Sequence, residues 1–304
     1  MTTVMNRSLF YKELQQGLNA VFGRNYKQAP ELWRSFFEVV TSQKAFEEEV
    51  MSVGLGLAGV KSEGGPVLYD GGADSYIARY DHITYALAFA ITQEAEEDGL
   101  YGSLGARYSK ALANSMQETK EINAHAVLNN AFSASFLGGD GVSLLNTAHP
   151  NFGGGTQSNK LATPADLAES SLEDASNQIN LWQDDRGIQL NIQAKTLIVP
   201  TASRFIAQRI LTSPYRPGTG DNDVNAINSL NVYDKPVVTP YVTDTDSWFI
   251  KTDCEDGLKH FIRVKIQRGM EGDFETGNVR YKARERYSFG WSNWRGLFGS
   301  EGAP

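Results

Sequence analysis

The sequence of 304 residues contains a single cysteine, Cys254. One thiol cannot form an internal disulfide, and it cannot supply the several sulfur ligands of a structural zinc site. None of the histidines has a second ligand at the spacing of a metal-binding motif such as H-E-x-x-H. These histidines are His82, His125, His149 and His260. The sequence therefore predicts no bound metal.

The sequence also lacks a long hydrophobic run. The longest, near residues 85–91, is far shorter than the roughly 20 apolar residues that a helix needs to cross a bilayer. The first residues, MTTVMNRSLFYKELQQ, contain no apolar core of the kind that signal peptides have. We therefore expect a soluble protein that is made in the cytosol and has no membrane partner.

Positive charge is in the minority. The chain has 28 lysines and arginines against 36 aspartates and glutamates, which gives a net charge of −8. Protein surfaces that bind nucleic acid are usually basic, so this composition disfavours sequence-specific DNA binding. Hydrophobic residues make up 41% of the chain and aromatic residues 11%, which is enough for a packed core.

One nucleotide-binding pattern is present, because Gly54, Gly56 and Gly59 spell G-x-G-x-x-G. In a Rossmann fold this pattern follows a buried strand and opens a helix, whose N-terminus holds the pyrophosphate. Here the preceding residues, FEEEVMSV, make a poor buried strand, and the glycines and proline between residues 64 and 72 exclude a helix. We therefore interpret the glycines as part of a flexible hairpin or loop, and we predict no cofactor.

Evidence for catalysis is equally sparse. His149 lies in a glycine-rich loop, residues 138–159, but the chain has neither a G-x-S-x-G nucleophile elbow nor a phosphate-binding P-loop. An anchor for the loop is the favoured role of His149, and a hydrolase that uses this loop is kept as an alternative. The acidic runs Glu47 to Glu49 and Asp184-Asp185 are interpreted as solvated surface rather than as an acid–base pair.

The N-terminal half of the chain divides into distinct segments. Residues 1–50 are predicted to be helical in three amphipathic pieces, at 9–23, 30–40 and 43–50. The glycine-rich segment 52–82 has strand-like flanks, and the pattern of residues 83–99 fits either strand or helix. From Ala106 to Leu137 there is no glycine or proline, and a helix of about 30 residues would be roughly 45 Å long.

The apolar stripe of this long helix is predicted from a four-residue repeat. It comprises Leu104, Tyr108, Leu112, Met116, Ile122, Ala126 and Leu128. Beyond the 138–159 loop we expect helices within 165–185 and 202–213, and strands at 195–200, 237–242 and 247–252. Two long strands, at 260–268 and 279–291, end the chain. The mixed order of helices and strands predicts an α+β fold.

The last strand carries four cations on one face. Arg280, Lys282, Arg284 and Arg286 alternate with Tyr281, Ala283, Glu285 and Tyr287. Like charges along one face repel each other unless something opposes them. The strand is therefore either a solvated sheet edge that resists aggregation, or the binding face for an acidic partner. Phosphate would fit, and so would the acidic runs of a second copy, such as residues 47–49 and 94–98.

The order of these parts resembles that of a known family. The most specific pieces are LLNTAHPNFGG (144–154), LIVPTASRFIAQRIL (197–211), TPYVTDTDSWFI (239–250) and YSFGWSNWRGLFGS (287–300). With the glycine-tipped hairpin and the long helix, they are similar to the tailed-bacteriophage major capsid (head) proteins of the HK97 fold. Within that family the sequence is most similar to the Mu-like major head subunit group.

The resemblance implies a domain organisation. It comprises an N-terminal arm (1–51), an extended E-loop hairpin (52–82), a peripheral domain (83–164) with a spine helix at about 100–135, an axial domain (165–250), and the return of 251–304 to the peripheral domain. The E-loop would reach over an adjacent subunit, and its glycines would let it bend. Residues 83–93 would be a strand. The intersubunit candidates are Gly54, Gly56, Gly59, Lys61, Glu63, Arg280, Lys282, Arg284 and Arg286.

The resemblance also implies a function. The chain would not be an enzyme but would assemble into hexamers and pentamers of an icosahedral shell around double-stranded DNA, which it would contact without sequence specificity. Its other partners would be a portal and a separate scaffold or protease. The protein would be assembled in the host bacterial cytoplasm and located in the virion. A cellular, encapsulin-like compartment shell is the alternative.

Overall fold

The computed structural model describes residues 7–28, 30–92, 94, 101–216, 223–273 and 277–303. The helices are α1 (Arg7–Gln28), α2 (Tyr101–Asn129), α3 (Glu169–Asn180), α4 (Arg204–Thr212) and α5 (Ala226–Leu230), with short 3-10 helices at Leu32–Ser35, Thr201–Ser203 and Trp294–Gly296. The strands are β1 (Glu38–Thr41), β2 (Phe46–Val53), β3 (Ala73–Asp81), β4 (Ile83–Ile91), β5 (His149–Pro150), β6 (Thr156–Gln157), β7 (Ala194–Pro200), β8 (Val237–Thr239), β9 (Trp248–Thr252), β10 (Leu258–Gly272), β11 (Val279–Trp291) and β12 (Leu297–Ser300).

The first large sheet has the strand order β1-β10-β11-β4. Strand β1 runs parallel to β10, while β10 and β4 each pair antiparallel with β11. Helices α1 and α2 pack together on one face of this sheet. Their contact with it is a cluster of Leu18, Phe22, Leu112, Ala113, Met116, Tyr281 and Ala283. Because successive side chains of a strand point to opposite faces, Tyr281 and Ala283 both lie on the face of β11 that the helices cover.

The second sheet, β12-β9-β7-β8, separates two hydrophobic clusters. In β7, Leu197 and Val199 face the cluster built on α3 and α4, whereas Ile198 faces the cluster that contains the end of α2. Strands β9 and β12 divide their side chains in the same way. Trp248, Ile250 and Phe298 lie on the first side, and Phe249 and Leu297 lie on the second. The sheet is therefore hydrophobic on both faces.

Helix α2 confirms the predicted long helix but ends at Asn129, short of the expected residue 135. At this end the side chain of Asn129 bonds to the backbone of Tyr241 and Thr243, and that of Asn130 bonds to the carbonyl of Ala126. The chain is therefore held where it leaves the helix by long-range bonds of Asn129 and by a local bond of Asn130.

The predicted apolar stripe of α2 is correct for only some of its members. Leu112, Met116 and Leu128 are buried, but Tyr108 is 50% and Ile122 57% exposed. The buried face also contains polar side chains, and it comprises Ser109, Leu112, Ala113, Met116, Gln117, Lys120, Glu121, Ala124, His125 and Leu128. These follow helical spacing closely.

The N-terminal segment departs from the prediction of three helical pieces. The first piece is one long helix, α1, but the second is a 3-10 turn followed by β1, and the third is β2. Both missed strands pair with partners far along the chain, β10 and β3 respectively. Long-range pairing overrides the local helix propensity of residues such as Glu47 to Glu49.

Other expected elements agree with the structure. Residues 83–91 form a strand, as the resemblance implied, and the strand predicted at 279–291 is β11 with the same bounds. The helices expected within 165–185 and 202–213 are α3 and α4, and the strands at 195–200 and 247–252 are β7 and β9. Among the described residues, none of the helices combines the length and the apolarity needed to cross a bilayer.

Candidate functional site

The segment predicted to be the E-loop is a two-stranded ribbon with an extended tip, and it keeps that name below. Strands β2 and β3 pair antiparallel from Phe46–Asp81 to Val53–Ala73, and residues 54–72 between them form neither helix nor strand. The ribbon begins six residues earlier than predicted, because β2 includes the glutamates. Side chains of β2 alternate between exposed and half-buried, so this strand is not the buried strand that a Rossmann turn requires.

The glycines of the tip differ in backbone conformation and in the space around them. At Gly54, Gly56 and Gly59 the backbone does not lie in the left-handed region. At Gly64 it does, with φ of 73°, in the turn that the Gly65 N–H closes on the Ser62 carbonyl. At Gly56 a side chain would place its Cβ 3.1 Å from the Asp70 carboxylate, which explains the absence of one there.

The tip exposes apolar side chains that the sequence analysis did not identify. Lys61 and Glu63 are exposed as well, beside this apolar surface. The exposed fractions are 62% for Leu55, 79% for Leu57, 103% for Val60, 61% for Val67, 74% for Leu68 and 94% for Tyr69. A contiguous exposed apolar segment of this kind is typical of an interaction surface. The signal in the sequence was the alternation of apolar residues with glycine in VGLGLAGV.

A polar clasp holds the base of the tip against the second half of the chain. Asp70 Oδ2 accepts hydrogen bonds from the Gly56 N–H and from Arg186 Nη1, both at 2.7 Å, and Arg186 Nη2 donates to the Gly71 carbonyl. Donation from Gly56 and the nearby guanidinium lower the pKa of Asp70. Arg186 lies in the turn before β7, so the clasp joins the E-loop to the domain of α3 and α4.

The sequence predicts that the glutamates of β2 are solvated surface, and the structure corrects this. Glu49 Oε1 lies 2.6 Å from Nζ of Lys259, whose side chain is 7% exposed. Glu47 accepts hydrogen bonds from Ser42 and Lys44, and these two donors lower its pKa. Of the other acidic run, 94–98, only Glu94 is among the described residues. The side chains of Glu47 and Glu49 therefore have partners within their own chain.

The cationic strand β11 is not a sheet edge, which corrects one of its two interpretations. It lies between β10 and β4. The predicted alternation is confirmed, since Arg280, Lys282 and Arg284 are exposed and Arg286 is half-buried. Arg280 pairs with Asp273, and Arg286 donates to backbone carbonyls. Within the described part of the chain, Lys282 and Arg284 form no ion pair, and they lie beside exposed alanines of β4.

The opposite face of β11 buries an ion pair. Glu285 is 2% and Lys120 10% exposed at the side chain, and their charged atoms are 2.6 Å apart. The hydroxyl of Tyr26 donates to the same glutamate oxygen at 3.1 Å and accepts from Lys120 at 2.8 Å. Burial raises the pKa of Glu285, and the ammonium of Lys120 opposes that rise. Helices α1 and α2 are thereby tied to the sheet.

His149 is a loop anchor, as predicted, and has no access to a substrate. Its ring is fully buried and stacks on Trp294 at 4.4 Å. Nδ1 lies 2.6 Å from Asp140 Oδ2, and Nε2 lies 3.0 Å from Asn159 Oδ1. Asn159 in turn donates to the carbonyls of Leu144, Trp294 and Leu297. The network holds the 138–159 loop to the C-terminal strand.

The acidic pair at 184 and 185 is also structural. Asp184 accepts backbone hydrogen bonds from Arg186 and Ile188, which closes a turn. Asp185 lies 3.4 Å from Arg295, and both side chains are almost fully buried. In the described portion of the chain, no group of three or more histidine, cysteine, aspartate or glutamate side chains is arranged to hold a metal ion.

Comparison with known families identifies the chain. The family model described as phage capsid protein matches residues 77–299. The chain belongs to the phage capsid protein family. The match begins within β3 and ends within β12, so it covers helices α2 to α5 of this capsid protein and all strands of the two large sheets except β1 and the last residue of β12. No curated protein matches this capsid protein significantly.

Solved structures share the fold of this capsid protein at low sequence identity. The procapsid of bacteriophage JBD30 is 15% identical with a TM-score of 0.53, covering 97% of this chain and 76% of that one. The capsid of cyanophage P-SCSP1u is 10% identical with a TM-score of 0.58, covering 87% and 85%. A virus-like particle from Pyrococcus furiosus is 10% identical with a TM-score of 0.52, covering 96% and 99%. The fold is therefore HK97-like.

Proposed function

We propose that this chain is the major capsid protein of a tailed phage, and that its copies assemble into hexamers and pentamers of an icosahedral head around double-stranded DNA. The observation that carries the proposal, within a phage capsid protein family, is the E-loop tip. Its six apolar side chains are exposed, and a surface of that kind is completed by contact with another molecule.

The E-loop has the length needed to reach a neighbouring subunit. Strand β2 has eight residues, so at about 3.3 Å per residue the paired ribbon is roughly 26 Å long. The tip adds further reach, since residues 54–60 and 66–72 flank the turn at Gly64. Affinity between subunits would then come from a large interlocking surface. Gly54, Gly56, Gly59, Lys61 and Glu63 would lie at or near that interface.

The cationic face of β11 would be a second contact surface. Lys282 and Arg284 are exposed without an ion pair in the described part of the chain, and their repulsion favours an acidic partner. A neighbouring copy is well suited, because each chain has a net charge of −8. Arg280 and Arg286 already have partners of their own, so they would contribute less to such a contact.

The remaining assignments rest on the resemblance. We propose a Mu-like head subunit without enzymatic activity, with a portal and a separate scaffold or protease as partners. Packaged DNA would be contacted without sequence specificity, since an acidic chain does not hold DNA tightly. The protein would be assembled in the bacterial cytoplasm and located in the virion. The family match favours a phage head over an encapsulin-like compartment.

Deletion of residues 60–73 tests the role of the E-loop. The deleted chain should remain folded, because its clusters are built without those residues, but it should not form closed shells. Light scattering and negative-stain microscopy across a salt series would measure this, with co-expression of a scaffold where the intact chain needs one. Closed shells of normal size from the deleted chain would contradict the assignment.

A triple variant distinguishes loss of the apolar side chains at the tip from shortening of the loop. Leu57→Ser combined with Val60→Ser and Tyr69→Ser keeps the loop length and should also prevent shell closure. The matched control is Leu230→Ser, because Leu230 is 75% exposed but lies in α5, away from the loop. If the control fails to close shells and the tip variant succeeds, the contact surface lies in the α5 region instead.

A further inference from the structure

The outer edge of β10 becomes free where β1 ends. Strand β1 pairs with β10 only from Glu38–Lys259 to Thr41–Ile262, and the Ser42 N–H makes one more bond to the Ile262 carbonyl. Strand β10 then continues to Gly272 and, among the described strands, pairs only with β11. From residue 263 onward its other edge therefore has no neighbouring strand in the described sheet.

Two irregularities in β10 lie at this place. The register with β11 shifts between Ile262 and Val264 and again between Val264 and Gln267. Arg263 and Lys265 are consequently among the residues without a Cα partner in β11. Bulges of this kind redirect side chains and are often found beside binding sites.

The two basic residues line a cleft of about 480 Å³. Its other lining residues are Thr41, Ser42, Gln43 and Ile262. This lining contains a guanidinium, an ammonium, two hydroxyls and an amide, and it contains no carboxylate. A set that is rich in hydrogen-bond donors and carries two positive charges is suited to an oxyanion.

Arg263 also has an unused donor. Its Nε is shielded from solvent and has no hydrogen-bond partner. In the described part of the chain, neither Arg263 nor Lys265 forms an ion pair. A buried guanidinium nitrogen without a partner is unfavourable, so Arg263, which lines the cleft, is a guanidinium whose hydrogen-bonding capacity is not filled within the chain.

The surroundings contain the guanidinium of Arg286 and the two carboxylates of Glu47 and Asp81, each of which is paired with a cation, Lys44 and Arg79 respectively. His82 is buried and its Nε2 lies 3.0 Å from the Ser42 hydroxyl. Burial lowers the pKa of His82, and Arg286 and Arg263 lower it further, so both guanidinium groups lie within electrostatic reach. Glu47 accepts from the Ser42 hydroxyl but is already paired with Lys44.

We propose that this cleft binds a phosphate group, either as the free ion or in the backbone of a polynucleotide, through Arg263 and Lys265. The Thr41 hydroxyl and the Gln43 amide supply further donors. A tetrahedral phosphate accepts hydrogen bonds from several directions, which suits donors on both β1 and β10 better than a planar carboxylate would. The inference does not depend on shell assembly, and only its polynucleotide form relates to the packaged DNA proposed above.

Titration of the intact chain with inorganic phosphate, followed by calorimetry and by the His82 ring resonance, tests the proposal. Phosphate should bind and raise the pKa of His82, because the anion offsets the nearby guanidinium groups. Arg263→Gln combined with Lys265→Gln should weaken binding by roughly tenfold or more. Lys195→Gln with Lys235→Gln removes the same charge from positions elsewhere and should leave binding unchanged.

A short DNA duplex distinguishes the two sources of phosphate. If the duplex binds, the Arg263/Lys265 variant should reduce the slope of log affinity against log salt by about 0.9 for each DNA phosphate that it no longer binds. Binding of inorganic phosphate without the duplex assigns the cleft to the free ion. Equal phosphate binding by the intact chain and the Arg263/Lys265 variant overturns the proposal. The proposal is also overturned if the Arg263/Lys265 variant binds phosphate as tightly as the intact chain but no longer assembles. That result would assign the cleft to an acidic side chain of a second copy.

Discussion

Removing one partner of the Lys120–Glu285 pair should destabilise the fold far more than removing both. With Lys120→Met, the Glu285 carboxylate keeps only the Tyr26 hydroxyl, at a position that is 2% exposed. A buried charge that loses its partner costs about 3–5 kcal/mol, whereas replacement of both charges by apolar groups is often neutral or stabilising. We therefore expect Lys120→Met and Glu285→Leu each to cost about 3 kcal/mol or more, and the combination of the two to lie within about 1 kcal/mol of the parent chain.

Urea unfolding of the unassembled chain, followed by tryptophan fluorescence, would measure these differences. Lys110→Met is the matched control, since Lys110 is an exposed lysine of the same helix and its replacement should change stability by less than about 0.5 kcal/mol. The reasoning is refuted if each single variant costs less than about 1 kcal/mol, or if the double variant costs as much as the two singles combined.

Two further predictions concern carboxylates in other parts of the fold. Burial raises the pKa of Glu121 from 4.5 to about 7, so the folded chain holds this proton longer than the unfolded chain does. The stabilisation is complete below pH 4.5 and is lost as the pH rises to 7, in total about 3.5 kcal/mol at roughly 1.4 kcal/mol per unit. Glu121→Gln keeps the acceptor for the Leu32 N–H and should remove this decline in urea unfolding across pH 4–8, and an unchanged slope would contradict it. Asp70→Asn and Arg186→Met should each speed hydrogen exchange of the Gly56 N–H, which donates to Asp70, without changing β2 and β3, and unaltered exchange at Gly56 would show that the clasp does not hold the tip.

The sequence predicted the elements whose evidence is local. The alternation in β11 and the absence of glycine and proline in α2 both depend on neighbouring residues, and both elements are found in the structure. The stripe of α2 was partly wrong because its buried face includes Lys120, Glu121 and His125, and a search for apolar residues cannot find a charged side chain whose partner is distant. The strand β2 was missed for a related reason, since its pairing with β3 depends on residues across the E-loop.

The candidate site was predictable only in part. Exposure of Lys61, Glu63, Lys282 and Arg284 follows from their residue types and spacing. The clasp between Asp70 and Arg186 joins residues more than a hundred positions apart, and nothing local to either residue indicates it. The position of β11 inside a sheet also depends on β4 and β10, so a single strand could not distinguish an edge from an interior position.

The sheet with two hydrophobic faces has a consequence for how the chain unfolds. Strands β7, β9 and β12 each contribute alternate side chains to the hydrophobic clusters on the two faces of the sheet. If one cluster becomes disordered, the strands that also form part of the other cluster lose their order as well. The elements packed around the two clusters should therefore unfold as one cooperative unit, in a single calorimetric transition, rather than as separable domains. A fragment that ends before β9 would leave one edge of β7 unpaired and would lack the side chains that β9 and β12 supply to both clusters, so it should aggregate instead of folding alone.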